Sequence, residues 1–463
     1  MGFTERIQQA VLLFRERVKH GPVLIVGNLD TDGITATSLL VKAMMREHLT
    51  FSVQIIKQLH DNLLDEFRDS PYAAIFFTDL GSGYLSGIEK KLQGKHVFIL
   101  DHHTPEKHDV PDWIVHVNPH LDGIDGTKEI SAAGVCYFFV RTLHEQNKDL
   151  AYLALIGAIG DIQEHMGFRG LNKEILKDAL DSGALEMQEG LRIFGAYTKP
   201  LCKVLEYSTS PYLPGVTGNR AGAVRFLEEH GIASKGKGES IRLRDLQNDD
   251  VKKLLTLLHQ DGGHAVGPVY LLRGVSDHYP LRDVKEFSTL LNACGRMGKA
   301  SLGVGVCLGD ETSHKKAFEI LDNYRREIMQ GLEWFHQHRK TDHVIENKGF
   351  TIINADGHIR DTIIGTLASL LSKSNVYPDH TIIMSMARTL DDDIKVSMRL
   401  SGFQPSDIDL CILIKEILQK TGGYGGGHSL AAGATVPSDK EKLLLQTALE
   451  VLGKTVLEER IVV

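Results

Sequence analysis

Four short apolar segments in the first part of the sequence are each followed, at the carboxyl end, by acidic or imidazole side chains. These polar residues are Asp30, Asp32, Asp79, Asp101, His102, His103 and Asp161. A single Asp in such a place is most often the N-cap of a helix. Because the same arrangement occurs at all four ends, we expect the residues to share one site.

The residue types indicate which chemistry such a site would perform. Several carboxylates and one or two imidazoles in a crevice would repel one another unless cations lay between them. Oxygen and nitrogen ligands without thiolates suit Mn²⁺ or Mg²⁺ better than a structural Zn²⁺. Two such ions, roughly 3.5–4 Å apart, hold a phosphodiester and activate water between them. The sequence therefore predicts a two-metal site for phosphoryl hydrolysis.

The helices and strands that position these residues are predicted to form an α/β fold. Short apolar runs at 23–26, 73–77, 97–100 and 113–117 alternate with helical segments. This alternation is typical of a parallel sheet with helices on both faces. Ligands bind such sheets at the carboxyl ends of the strands. The acidic residues will therefore converge if their strands are neighbours.

The rest of the chain is predicted to hold a helical middle region and a smaller C-terminal α/β domain. A long helix with one apolar stripe is expected at 313–340, where it links two lobes. The apolar stretch 151–160 is shorter than the roughly 20 residues that cross a membrane, so it is predicted to be a buried helix. The predicted domains are residues 1–198, 199–312, 313–340 and 341–463.

Composition limits the classes of protein to which the chain can belong. With 463 residues, 42% hydrophobic and 24% charged, it has the composition of a globular protein of two or three domains. Its 52 basic residues are fewer than its 60 acidic ones, so a polyanion must be bound by a local patch. The five cysteines form no CxxC pair, which indicates a reduced, cytoplasmic location without a disulfide framework. No membrane association is expected.

Several motifs resemble those of one known superfamily. DTDG, TDLG, LDHH and IGD occur in the order typical of DHH phosphoesterases, and GGGHSLAAGA is similar to the DHH-associated C-terminal domain. SPYLPGVTGN, AVRFLEEHGI and FSTLLNACGRMG resemble the archaeal branch of RecJ-like exonucleases. The resemblance covers nearly the whole chain. It implies a two-lobed fold, two Mn²⁺ (or Mg²⁺) ions in the N-terminal lobe, and single-stranded nucleic acid in the cleft.

The resemblance also implies individual roles. The metal ligands of the superfamily correspond to Asp30, Asp32, Asp79, His102 and Asp161 here, with Asp79 as the bridging and catalytic carboxylate. His103 corresponds to the catalytic histidine that faces the substrate phosphate. One position departs from the pattern, because Asn28 stands where the superfamily has a histidine, and an amide is a poorer ligand than imidazole for Mn²⁺.

A glycine run near the C-terminus is the second candidate site. Glycines allow backbone N–H groups to approach a phosphate closely, although a glycine run alone is most often a flexible turn. The GGGH-x3-AAG arrangement, with an arginine upstream, favours a loop that holds the substrate. Its predicted binding residues are Arg399, Gly425, Gly426, Gly427 and His428.

Together these features predict a metal-dependent exonuclease for single-stranded DNA or RNA in replication or repair. One alternative is a Cdc-type replisome scaffold, which would bind the GINS complex and the replicative helicase but hydrolyse little. The other is a phosphodiesterase for oligoribonucleotides or cyclic dinucleotides. The extra region at 200–310 argues against this last alternative, because short substrates need no long channel.

Overall fold

The structure is a computed structural model of the chain. It describes residues 2–18, 21–164, 167–208, 213, 215–234, 236–260, 266–276, 279–374, 376–402 and 408–462. Two compact units make up the chain. The first unit comprises Met1–Val204 and Val224–Leu321, and the second unit comprises Leu205–Ala223 and Asp322–Val463.

A five-stranded parallel sheet forms the centre of the first unit. Its strands are β1 (Val23–Asn28), β2 (Phe51–Ile56), β3 (Ala74–Thr78), β4 (His96–Leu100) and β5 (Ile114–Val117). The strand order is β2-β1-β3-β4-β5, and every pair is parallel. The four predicted strands are confirmed, and three of them, β1, β3 and β4, are direct neighbours. The edge strand β2 is only partly buried, and the sequence did not predict it.

Helices cover both faces of this sheet, as predicted. They are α1 (Phe3–Arg17), α2 (Thr31–Arg46), α3 (Asp61–Arg68), α4 (Leu85–Lys91), α5 (Ala132–Leu143), α6 (Ala151–Gly160) and α7 (Gly170–Asp181). On one face, Phe14 of α1 packs edge-on against Phe76, Phe98 and Phe139. On the other face, the apolar residues of α3 and α4 pack on the sheet. The stretch 151–160 is a buried helix, which confirms the prediction.

The middle of the chain is mainly helical. Its helices are α8 (Leu201–Glu206), α9 (Arg220–Glu229), α10 (Asn248–Gln260), α11 (Val284–Arg296) and α12 (Ala300–Leu308). Helices α11 and α12 pack against α2, and α11 also packs against α6. An antiparallel pair, β6 (Leu185–Leu191) and β7 (Val266–Leu272), was not predicted. The centre of β6 is partly or fully exposed, with Met187 52% exposed, so it lacks the apolar signature of a buried strand.

The predicted long helix is present as α13 (Glu311–His338). Its predicted apolar stripe is partly buried, since Ala317, Leu321, Tyr324 and Phe335 are at most 5% exposed. The boundary between the two units falls within this helix, after Leu321. None of the helices in the described ranges is long and apolar enough to cross a membrane.

The second unit contains a mixed six-stranded sheet. Its strands are β8 (Val344–Asn347), β9 (Phe350–Asn354), β10 (Ile382–Arg388), β11 (Asp393–Leu400), β12 (Tyr424–His428) and β13 (Ala431–Pro437). The order is β12-β13-β11-β10-β9-β8, and only β9 and β10 run parallel. Helices α15 (Leu410–Thr421) and α16 (Glu441–Val462) share a core with one face. Helix α14 (Asp361–Lys373) packs on β10 and β11. The predicted C-terminal α/β fold is confirmed.

Candidate metal centre

The carboxyl ends of β1, β3 and β4 lie along one edge of the parallel sheet, and α6 ends nearby. Each strand carries its acidic residues into the loop that follows. Asp30 is the N-cap of α2, because its Oδ1 accepts a hydrogen bond from the Gly33 amide at 3.1 Å. This is the ordinary role of an Asp at a strand-to-helix turn. Asp32, Asp79 and Asp161 instead direct carboxylate oxygens toward one imidazole, that of His102.

His102 lies at the centre of this cluster. Its Nε2 is 3.2 Å from Asp161 Oδ2, 3.4 Å from Asp79 Oδ1 and 3.8 Å from Asp32 Oδ2. Its Nδ1 is 2.6 Å from the carbonyl oxygen of Gly126. A carbonyl oxygen can only accept, so Nδ1 donates that hydrogen bond and Nε2 faces the carboxylates. Metal-binding histidines are oriented in the same way.

Asp79 has the most unusual environment of the three carboxylates. It is 2% exposed, and its Oδ1 has no hydrogen-bond partner. Its backbone has a φ of 61°, a left-handed conformation that non-glycine residues adopt mainly at turns and functional sites. Burial, and then the charge of Asp30, raise the pKa of Asp79 well above its ordinary value. A buried carboxylate oxygen of this kind is expected to have a cation as its partner.

Asp32 and Asp161 complete the acidic part of the cluster. Asp32 is buried and accepts hydrogen bonds from the amides of Ala132 and Ala133, at 2.7 and 3.0 Å, at the N-terminus of α5. Burial raises the pKa of Asp32. Burial and the charge of Asp32 raise the pKa of Asp161 to about 8. The carboxylate oxygens of the cluster repel one another, and they surround one imidazole nitrogen. Such a set of ligands is suited to a divalent cation such as Mn²⁺ or Mg²⁺.

His103 lies beside the cluster and is held by Asp101. The Nδ1 of His103 is 2.8 Å from Asp101 Oδ1, and its side chain is 53% exposed. Burial lowers the pKa of His103, but the charge of Asp101 outweighs it and raises that pKa to about 10. Asp101 also accepts hydrogen bonds from the backbone amides of Ser82 and His102. Sequence reasoning placed Asp101 at a strand end but did not predict that it orients His103.

Close packing of α6 against α2 brings Asp32 and Asp161 together, and Gly157 makes this packing possible. A methyl group at Gly157 would meet Asp32 Oδ1, and it would lie 2.6 Å from both Ala133 Cβ and Thr35 Oγ1. These atoms are buried, so the helices would have to separate.

We therefore expect Gly157→Ala to destabilise the protein by roughly 1–3 kcal/mol and to weaken Mn²⁺ binding. Urea unfolding and a Mn²⁺ titration measure the two effects. Gly453→Ala in α16 is the matched control, because its added methyl group meets no atom within 4 Å. This control is expected to leave Mn²⁺ binding unchanged. Equal urea midpoints for Gly157→Ala and the wild type would show that the packing is looser than described.

Sequence reasoning missed one basic residue next to the site. Helix α11 ends against the loop after β1, where Gly295 approaches the Leu29 carbonyl so closely that a side chain would clash. Arg296 follows directly, and its Nε is buried without a hydrogen-bond partner. Arg296 belongs to the segment FSTLLNACGRMG, which resembles RecJ-like exonucleases. The Gly-Arg pair in this segment is the sequence signal that could have identified Arg296.

Asn28 lies at the end of β1, and its side-chain oxygen has a local partner. Its Oδ1 accepts a hydrogen bond from the Leu29 amide at 2.6 Å. Among the described His, Cys, Asp and Glu residues, two sets of three have ligand atoms within 4.8 Å of one another. They are Asp79-His102-His103 and Asp32-His102-Asp161. Asp30 belongs to neither set, although its charge acts on Asp79.

The predicted substrate-binding residues lie in the second unit. Gly425, Gly426 and Gly427 form the edge strand β12, so the predicted loop is wrong in its local structure. Glycine has no side-chain carbon atoms, so these positions show no alternation of apolar and polar residues that would predict a strand. Arg399 lies in β11, where its Nε is 2.9 Å from Ser369 Oγ. The register places positions 399, 431 and 428 in one row, while the side chain of His428 lies outside the described part.

Three family models match successive parts of the chain. They are the N-terminal domain of the DHH family at residues 22–158, the DHH-CID domain at 193–265 and the DHHA1 domain at 348–454. An uncharacterized protein of Methanocaldococcus jannaschii is 27% identical over 97% of this chain and 98% of its own length. The single-stranded-DNA-specific exonuclease RecJ of Escherichia coli is 24% identical over 95% of this chain and 68% of its own length.

Solved structures share the fold. RecJ from Thermus thermophilus, in complex with Mn²⁺, has a TM-score of 0.61 at 16% identity; the match covers 97% of this chain but 55% of that longer chain. CDC45 from Entamoeba histolytica has a TM-score of 0.67 at 10% identity, covering 97% of this chain and 99% of that one. The family models together cover most of the sequence, and their order matches the order of the motifs. The chain therefore contains a DHH-family N-terminal domain, followed by a DHH-CID domain and a DHHA1 domain.

Proposed function

We propose that the protein is a metal-dependent exonuclease that degrades single-stranded DNA or RNA in replication or repair in the cytoplasm. The geometry of His102 carries this proposal, because its Nε2 faces three carboxylates within 3.8 Å while its Nδ1 is held by a carbonyl. The Escherichia coli relative is a single-stranded-DNA-specific exonuclease by name. The RecJ of Thermus thermophilus, which shares the fold, binds Mn²⁺.

In this proposal, a cluster of five residues holds two Mn²⁺ or Mg²⁺ ions. The five residues are Asp30, Asp32, Asp79, His102 and Asp161. Asp79 would help to hold both ions, which agrees with a buried Oδ1 that has no hydrogen-bond partner. When bound, such ions polarise a phosphoryl oxygen and lower the pKa of water that attacks phosphorus.

His103 and Arg296 are proposed to bind the scissile phosphate. Asp101 fixes the Nδ1 edge of His103, so the Nε2 edge is directed away from that carboxylate and is suited to donate to a phosphate oxygen. Arg296 adds a positive charge beside the loop that carries Asp30, and its buried Nε lacks a hydrogen-bond partner. Both residues orient the phosphorus for attack and balance the charge that develops on its oxygens.

Digestion of end-labelled strands tests the proposed activity. We expect a labelled single strand to be shortened stepwise from one end, while the same sequence in a duplex stays intact. EDTA should stop the reaction, and Mn²⁺ should restore it. Labels at either end report the polarity, and paired DNA and RNA strands report the preferred sugar. An intact single strand with Mn²⁺ and with Mg²⁺ would contradict the proposed function.

Position 28 is expected to affect the metal requirement. An imidazole is a better ligand than an amide for Mn²⁺, so Asn28→His should lower the Mn²⁺ concentration that gives half-maximal activity. Asn28→Ala serves as its control, because it removes the amide without supplying a ligand. An unchanged metal requirement in Asn28→His would show that position 28 does not reach the metal ions.

The second unit is proposed to bind the strand's phosphates through Arg399, His428 and the backbone of Gly425, Gly426 and Gly427. The outer edge of β12 pairs with no other described strand. An arginine that contacts one phosphate releases about one counterion on binding. Arg399→Gln should therefore weaken binding to all sequences alike and lower the slope of log affinity against log salt by roughly one.

Fluorescence anisotropy with a labelled strand at several salt concentrations measures this slope. Arg388→Gln removes the same charge from the same sheet, but Arg388 is ion-paired to Asp356, Asp392 and Glu441. We expect the salt slope of this control to equal that of the wild type. If the salt slope of Arg399→Gln equals that of the wild type, Arg399 does not contact the strand's phosphates.

A replisome scaffold that binds the GINS complex and the replicative helicase is the second candidate. The likeness to CDC45, over nearly the full length of both chains, favours it. So does Asn28, if the missing imidazole leaves a metal site weak. A scaffold would bind its partner proteins equally well in the presence and absence of EDTA and would leave single strands intact. The small-substrate alternative predicts faster cleavage of dinucleotides than of long strands, so a length series distinguishes it.

A further inference from the structure

Four aromatic rings meet at one place in the second unit, away from the acidic cluster in sequence. Trp334 and His338 lie one turn apart near the end of α13, His343 directly precedes β8, and His358 lies in the turn after β9. The centroid of the Trp334 ring is 4.5 Å from that of His338, 5.6 Å from that of His343 and 5.7 Å from that of His358. Three imidazoles therefore surround one indole.

The three imidazoles are also close to one another. Their ring centroids are separated by 5.6 Å (His338 and His343), 5.9 Å (His343 and His358) and 6.4 Å (His338 and His358). Around one ion with metal–nitrogen distances of about 2.0–2.1 Å, imidazole centroids would lie roughly 5 Å apart. The ring nitrogens of the three residues do not all lie within 4.8 Å of one another in this structure, so at least one ring must rotate to complete a site. His358 is exposed and lies in a turn, so its side chain can make this rotation.

Backbone carbonyls fix the orientation of two of these rings. The Nδ1 of His338 is 2.8 Å from the Trp334 carbonyl oxygen, and the Nδ1 of His343 is 3.1 Å from the Asn354 carbonyl oxygen. Since a carbonyl oxygen only accepts, both Nδ1 atoms donate, and each Nε2 retains its lone pair. A hydrogen bond from the other ring nitrogen to a carbonyl is the usual support of a metal-binding histidine.

We propose that His338, His343 and His358 form a second metal site that takes a borderline transition-metal ion of the Zn²⁺ type. Three imidazoles suit Zn²⁺, Ni²⁺ and Cu²⁺, whereas Mn²⁺ and Mg²⁺ prefer the carboxylate oxygens of the first unit. The bound ion connects the end of α13 to β8 and to the turn after β9, so it stabilises this part of the second unit.

Trp334 provides a reporter for this site. The chain has two tryptophans, so Trp113→Phe leaves Trp334 as the sole indole. In this variant, Ni²⁺ or Cu²⁺ should quench the fluorescence of Trp334, because the ion would bind next to its ring. Zn²⁺ quenches little, but it should displace the quencher in competition. Mn²⁺ at the same concentration should not displace the quencher.

Two histidine variants and one control complete the experiment. In the Trp113→Phe protein, His343→Gln and His358→Gln should each weaken the apparent Ni²⁺ affinity by at least roughly 10–100-fold, because even the loss of a group that supports a ligand weakens metal binding by this much. His336→Gln is the control, because His336 lies on the same helix but contacts Phe335 edge-on, outside the cluster. Because His358 is exposed, its variant tests the site even if His343→Gln fails to fold. Quenching that is absent, or that is undiminished in His358→Gln, would overturn the proposal.

Discussion

Replacing Asp79 with Asn is expected to slow the cleavage of single strands by at least about three orders of magnitude. The loss of a carboxylate that is proposed to hold both ions removes transition-state stabilisation worth several kcal/mol, and each 1.4 kcal/mol corresponds to a factor of about ten. Three features occur together at Asp79 and at no other residue of the proposed cluster. Asp79 is buried, its Oδ1 has no hydrogen-bond partner, and its backbone is left-handed.

Asn is the appropriate substitution at this position. Asn tolerates a φ of 61° about as well as Asp, whereas Ala would add backbone strain. Asn also removes a negative charge from a crowded acidic cluster. The metal-free variant should therefore unfold at the same or a higher temperature than the metal-free wild type. Asp69→Asn, at a side chain that is 69% exposed, controls for the loss of one charge. Cleavage of single strands by Asp79→Asn at the wild-type rate would contradict the two-metal site.

His103→Gln should reduce the rate of cleavage roughly 10²–10⁴-fold, the range for losing a positioned acid–base or hydrogen-bonding side chain. Its Mn²⁺ affinity should fall much less, because His103 is proposed to face the phosphate rather than to complete the metal shell. Single-turnover cleavage and a Mn²⁺ titration on the same preparation separate the two effects. Loss of Mn²⁺ binding in His103→Gln would instead make His103 a metal ligand.

Asp101→Asn is the companion variant for this test. Asp101 accepts from His103 Nδ1 and from two backbone amides that shape the loop. As a positioning residue, it should affect kcat more than KM, and its variant should retain part of the activity. His102→Ala is the opposite control, because losing the central imidazole should abolish Mn²⁺ binding together with activity. Equal effects of His102→Ala and His103→Gln on metal binding would show that the assigned roles are wrong.

The convergence of the acidic residues was predictable because two signals agree. Buried parallel strands read as continuous apolar runs, and the polar residues after β1, β3 and β4 are placed at the edge where ligands bind. The prediction depended on these strands being neighbours, which the strand order confirms. Asp161 was also found, because it directly follows the apolar helix α6.

Other features left no readable signal. The edge strand β2 is half-buried, so its residues do not form an apolar run. The strand β12 consists largely of glycine and is recognised only through its pairing with β13. The carbonyl of Gly126 orients His102, but a backbone group has no sequence signature. The three imidazoles around Trp334 come from a helix, a strand end and a turn, and only the folded chain brings them together.

Titration of the metal-stripped protein with Mn²⁺ tests most directly whether the acidic cluster is a metal site. Electron paramagnetic resonance reports free Mn²⁺, so the bound ion is counted without a substrate. We predict two bound ions per chain in the wild type, and weakened binding in Asp79→Asn and His102→Ala but not in Asp69→Asn. Absence of bound Mn²⁺ in the wild type, or equal binding in all four proteins, would contradict the proposed centre.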